Sequence, residues 1–108
     1  MSTTAVVFKH KLPAPGETKE MWLPDKVEFL HVALYEGGLR DEGPGIYLWE
    51  MDYSDTDPDM VPYSFQTVAT GEPFVATQDT QHLGTVISPG SFALVLHCFV
   101  TPGTAARS

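Results

Sequence analysis

Aspartates recur at every second position in the stretch DYSDTDPDM, as Asp55, Asp57 and Asp59. That spacing is how calcium loops begin, because oxygens at positions 1, 3 and 5 can surround a hard cation. The rest of such a loop is absent. Where its glycine would stand there is Met60, and where its bidentate glutamate would stand there is Gln66. Asp and Pro58 together suit a solvated turn between two strands. With Glu50, Asp52 and Tyr53 adjoining, the same residues form an acidic, aromatic-flanked patch that a basic protein surface can engage.

Four histidines, His10, His31, His82 and His97, offer the imidazole nitrogens that zinc prefers. Their spacing supplies no HxH or HxxxH pair, and Cys98, the lone cysteine, follows His97 directly, so on one strand the two side chains point to opposite faces. No metal and no cofactor are expected. His31 and His97 read as core histidines with ring nitrogens satisfied by neighbours, and Cys98 as a small buried hydrophobe. Nucleophilic catalysis needs a hydroxyl or thiol beside a base together with oxyanion donors, and no G-x-S-x-G elbow is present. The glycine-rich EGGLRDEGPG lacks the spacing and the lysine that cradle phosphates. The chain carries no catalytic motif and reads as a non-enzyme.

These residues must be positioned by strands. Nine prolines and nine glycines interrupt the chain and leave no long window with a clean helical period. AVVFKHKL alternates Val6, Phe8, His10 and Leu12 with Val7, Lys9 and Lys11, the pattern of a half-buried strand. TKEMWL gives a second strand. KVEFLHVALYEGG gives a third, with Leu30, Val32 and Leu34 on one face and Phe29, His31, Ala33 and Tyr35 on the other. Both of its faces are largely apolar, which predicts a strand in the middle of a sheet, covered on both sides.

IYLWEMDY follows, with Ile46, Leu48 and Glu50 opposite Tyr47, Trp49 and Met51; then come VPYSFQTVATG, LGTVIS and the final FALVLHCFV. In that last segment Phe92, Leu94, Leu96, Cys98 and Val100 share a face. The fold class is therefore all-β, a small antiparallel β-sandwich or barrel of six to seven strands. At 108 residues the chain has room for one core and one domain, spanning 1–108, with about 101–108 expected as a frayed tail.

A net charge of -8 repels a phosphate backbone, and the six basic residues are scattered, so direct nucleic-acid binding is not expected. The same charge steers association with a basic surface. Neither a signal peptide nor a stretch near the roughly 18 apolar residues of a membrane span is legible, and the single cysteine fits a reducing, cytoplasmic setting. Among the aromatics, Trp22 and Tyr53 are the candidates for exposed interface anchors.

LWEMDYSDTDPD, VATGEPF and HLGTVISPGSFALVLHCFV, in that order, resemble an uncharacterised family of small proteins from phages and actinobacteria, a domain of unknown function. The matching residues are Leu23 and Pro24, Leu30 to Val32, Trp49, Thr70 to Pro73, Gly84 with Thr85, and His97. The pattern commonly has His where Glu72 stands here, so a shared site built on that imidazole would be missing. The resemblance implies a small β-rich accessory protein and supplies no activity.

Size, charge and resemblance together lead to a non-enzymatic, phage-encoded binding protein. Its partner would be a host protein with a basic surface, in a defence or nucleic-acid-handling system. A virion or assembly component that packs as a homo-oligomer is the alternative. A third reading is a binder that sequesters a small nucleotide signal through Lys9, Lys11 and Arg40.

Overall fold

The structure, a computed structural model, describes residues 4–35, 43–53, 59–88 and 94–103. Seven strands follow in chain order: β1 (Ala5–Lys11), β2 (Thr18–Pro24), β3 (Val27–Tyr35), β4 (Gly45–Tyr53), β5 (Met60–Ala69), β6 (Gln81–Ile87) and β7 (Val95–Pro102). They pair antiparallel into a three-stranded sheet of order β1-β4-β3 and a four-stranded sheet of order β2-β5-β7-β6. The architecture is an all-β sandwich and not a closed barrel.

Side-chain alternation makes the core. From the smaller sheet, Val32, Ile46 and Leu48 face inward; from the larger, Leu23, Val61, Tyr63, Phe65, Val86, Leu96, Cys98 and Val100 meet them. Phe65 sits at the centre, with the Phe29 ring edge-on at 6.0 Å, a geometry that aligns ring edge with ring face. Thr67 is the polar exception on this face. It stays buried because its hydroxyl donates to the carbonyl of Pro13 at 2.9 Å, which pins the connection between β1 and β2 to β5.

The β3 segment departs from the simple alternation. Phe29 pairs with Glu50 and His31 with Trp49, so Leu30 is an extra residue in a β-bulge. One inserted residue flips the faces that follow it. Val27 and Phe29 therefore share the inner face with Val32, while Leu30 is exposed. Nor does β3 lie mid-sheet. It is an edge strand, and β4 takes the central place, with Ile46, Tyr47, Leu48 and Glu50 all buried.

Beyond pairing with β4, β3 rests against β6 of the other sheet, closing one side of the sandwich. A Cβ on Gly84 would come within 3.3 Å of the Val32 Cβ, so glycine permits this approach. The opposite side, between β1 and β2, has no comparable packing among the described residues. Lys19 spans it, donating from Nζ to the carbonyl of Lys11 at 3.2 Å.

The terminal strand runs further than the expected start of fraying. Thr101 and Pro102 pair with β5, and the amide of Gly103 donates to the Pro62 carbonyl at 2.7 Å. Asp55, Asp57, Pro58, Arg40, Phe92, Ala93 and residues 104–108 lie outside the described residues.

Candidate functional site

On β4, Glu50 and Asp52 are two residues apart and so share a face. That face is the inner one, in phase with Ile46 and Leu48. Glu50 is 0% exposed. On the neighbouring β1, Phe8 pairs with Glu50 and His10 with Leu48, which sets His10 diagonally beside Glu50. The His10 Nε2 to Glu50 Oε1 distance is 2.8 Å.

The second oxygen of Glu50 and Oδ1 of Asp52 are buried, and neither is met by an N–H or a hydroxyl donor. Two carboxyl oxygens can share a hydrogen bond only across a proton, so the nearness of Asp52 favours the protonated form of Glu50. Burial raises the Glu50 carboxyl first, and its hydrogen bond and charge repulsion with Asp52 raise it further, from 4.5 to about 8. His10 moves the other way: burial lowers it, and the nearby Lys19 adds to that, against the pull of Asp52. The cluster thus favours a neutral imidazole hydrogen-bonded through Nε2 to Glu50, and a Glu50 carboxyl that keeps its proton.

Around this cluster lies an acidic end of the sandwich. The amide of Asp25, in the turn between β2 and β3, donates to the carbonyl of Asp59 at 2.9 Å, and the Tyr53 amide donates to the Lys26 carbonyl at 3.3 Å. These bonds draw the β2–β3 turn alongside the two ends of the aspartate-rich connection. The Tyr63 hydroxyl is raised by burial and then by the charges of Asp25 and Asp52, which places both carboxylates near it.

Of the acidic patch expected from the sequence, Glu50 is withdrawn into the core, Asp52 and Tyr53 are half-buried, and Asp59 is exposed. Asp55 and Asp57 fall outside the described residues. Asp25 joins the end through the fold, and spacing along the chain gives no sign of it. Trp22 stands 47% exposed on the outer face of β2.

The histidines separate. His31 is exposed beside the Trp49 ring at 6.0 Å and is not a core residue, because the bulge turns it outward. His97 lies half-buried on the outer face of the larger sheet, with Nε2 2.8 Å from the Thr70 hydroxyl and Nδ1 3.1 Å from that of Thr85. Thr85 also meets His82 Nε2 at 3.0 Å, so a chain of hydroxyls and imidazoles crosses this face. Among the described residues no group of three or more His, Cys, Asp or Glu side chains could hold a metal ion. Cys98 is fully buried, and burial raises its thiol pKa despite a hydrogen bond with Thr67.

A family model described as a domain of unknown function, DUF7352, matches residues 3–107. The chain belongs to that family. The family's description assigns no activity. No curated protein and no solved structure matches the chain. No helix among the described residues is long and apolar enough to cross a membrane.

Proposed function

We propose that this protein is a non-enzymatic binding protein, encoded by a phage or prophage, that works in the host cytoplasm by engaging a host protein through its acidic end. The observation that carries the reading is the backbone bond from Asp25 to Asp59, which sets these two exposed aspartates side by side at the end of the sandwich that also holds Asp52, Tyr53 and Tyr63. Asp25, Asp52 and Asp59, with Lys26 as the cation among them, lie at one end of a chain with net charge -8, and that overall charge attracts a basic partner surface and accelerates encounter with it. Such a surface is the groove by which a defence or nucleic-acid-handling protein holds its nucleic acid, and covering it would inhibit that protein.

The burial of the carboxyl with the most displaced proton affinity among the described residues supports a binding role over a chemical one. Glu50 has the most displaced proton affinity, yet it presents no surface to a substrate. Lys9, which a nucleotide binder would use, lies with its ammonium over the Tyr35 ring at 4.7 Å and the Tyr47 ring at 5.6 Å.

Affinity capture from host lysate at low and high salt tests the reading. It predicts one specific host protein, retained at low salt and released at high salt. Capture of nothing specific at low salt would remove its support. Assembly as a structural component is a second reading, favoured by one observation, the uncovered edge strand considered next.

A further inference from the structure

Strand β1 ends the smaller sheet, and no strand among the described residues pairs with its far side. Its first half is apolar on both faces: Val6 is 47% exposed, Val7 53% and Phe8 45%. Proteins guard such edges with charge, proline or a bulge, because unpaired amides and carbonyls template another strand. Lys9 and Lys11 guard only the second half, and positions 5–8 have no charge, no proline and no bulge.

We infer that β1 is a self-association edge, pairing antiparallel with β1 of a second copy about a two-fold axis at Val7 to give a continuous six-stranded sheet. In this register Val7 meets Val7 of the other copy on the outer face. Val6 meets Phe8 on the inner face, twice by symmetry, and aromatic and β-branched residues pair well across strands. Lys9 falls opposite Ala5, so no lysine opposes another.

Charge decides for a second copy as the occupant. Along β1 the basic residues lie at one end, while the other end is in register with Asp52 and Tyr53 of β4, where the aspartate-rich connection begins. An antiparallel two-fold sets the lysine end of each copy beside the aspartate end of the other. A parallel arrangement would set lysine by lysine and aspartate by aspartate. Isologous pairing of this kind closes on itself and stops at two chains. The inference stands apart from the partner reading, since it uses the edge of β1 and not the turn at Asp25.

Light scattering on the eluting protein, over a concentration series at low and at high salt, tests it. The expected mass is twice the 11.8 kDa of one chain, falling towards one chain at high salt. Val7→Lys, which puts two ammonium groups together at the axis, is expected to yield the monomer with an unchanged far-ultraviolet circular dichroism spectrum. Lys9→Glu is expected to weaken the dimer while leaving the fold intact. A wild-type protein that stays at one chain's mass throughout, or a dimer that Val7→Lys leaves whole, overturns the inference.

Discussion

Glu50 and His10 meet across a diagonal of the β1–β4 ladder, 2.8 Å between Oε1 and Nε2, with the carboxyl fully enclosed and its other oxygen buried without a hydrogen-bond partner. An enclosed carboxyl with an acceptor for a neighbour keeps a proton that water would remove. The folded state therefore binds protons more tightly here than the unfolded chain does.

Stability should follow this proton. Glu50 rises from 4.5 to about 8 on folding, so its contribution is full below 4.5 and is lost as pH climbs towards 8. His10 is lowered from 6.5, so its contribution is present above 6.5 and lost as pH falls. Between 4.5 and 6.5 the two oppose. Above 6.5 only Glu50 acts, and unfolding free energy should decline by up to about 1.4 kcal/mol per pH unit as pH approaches 8. Glu50→Gln stays neutral at every pH and keeps an oxygen acceptor for His10, so the wild type should come closest to it near pH 4.5 and fall increasingly below it as pH rises to 8. Urea titrations of both proteins across this range check the sign. A wild type that gains stability from pH 6.5 to 8 contradicts the raised Glu50 carboxyl.

Cys98 is sealed between the sheets and its thiol is raised by burial. Reaction with a disulfide reagent should await unfolding, with a labelling rate that tracks denaturant concentration. Immediate stoichiometric labelling of native protein would mean the larger sheet does not cover it.

Gly84 and Val32 hold β6 against β3 at the closed side of the sandwich. Gly84→Ala puts a methyl 3.3 Å from the Val32 Cβ, tighter than ordinary contact, and should destabilise the fold by about 1 kcal/mol. Thermal or urea unfolding measures it. Equal or greater stability would show that the two sheets have room to separate there.

Much of this arrangement is legible along the chain. Alternation in FALVLHCFV puts Leu96, Cys98 and Val100 on one face, and all three are buried. The same alternation sets Glu50 in phase with Ile46 and Leu48, a sign of burial stronger than its nearness to the aspartates. What alternation cannot carry is a change of phase. The bulge at Leu30 is a single unpaired residue in an apolar run, so nothing in residue type marks where Phe29 turns inward and His31 outward. Pairing across distance is equally silent: Asp25 reaches Asp59 because β2 pairs with β5, which only the strand order reveals.

The acidic end is the centre of the account, and charge removal tests it most directly. Affinity of the captured host protein is to be measured, by titration calorimetry across a salt series, for the wild type and for a variant carrying Asp25→Asn and Asp59→Asn. Both side chains are exposed, and the bond between these residues runs through the backbone, so the fold should survive. The account predicts binding at least about tenfold weaker in the variant, a loss of about 1.4 kcal/mol, and a shallower dependence on salt. Equal affinity of the two proteins at low salt would contradict it.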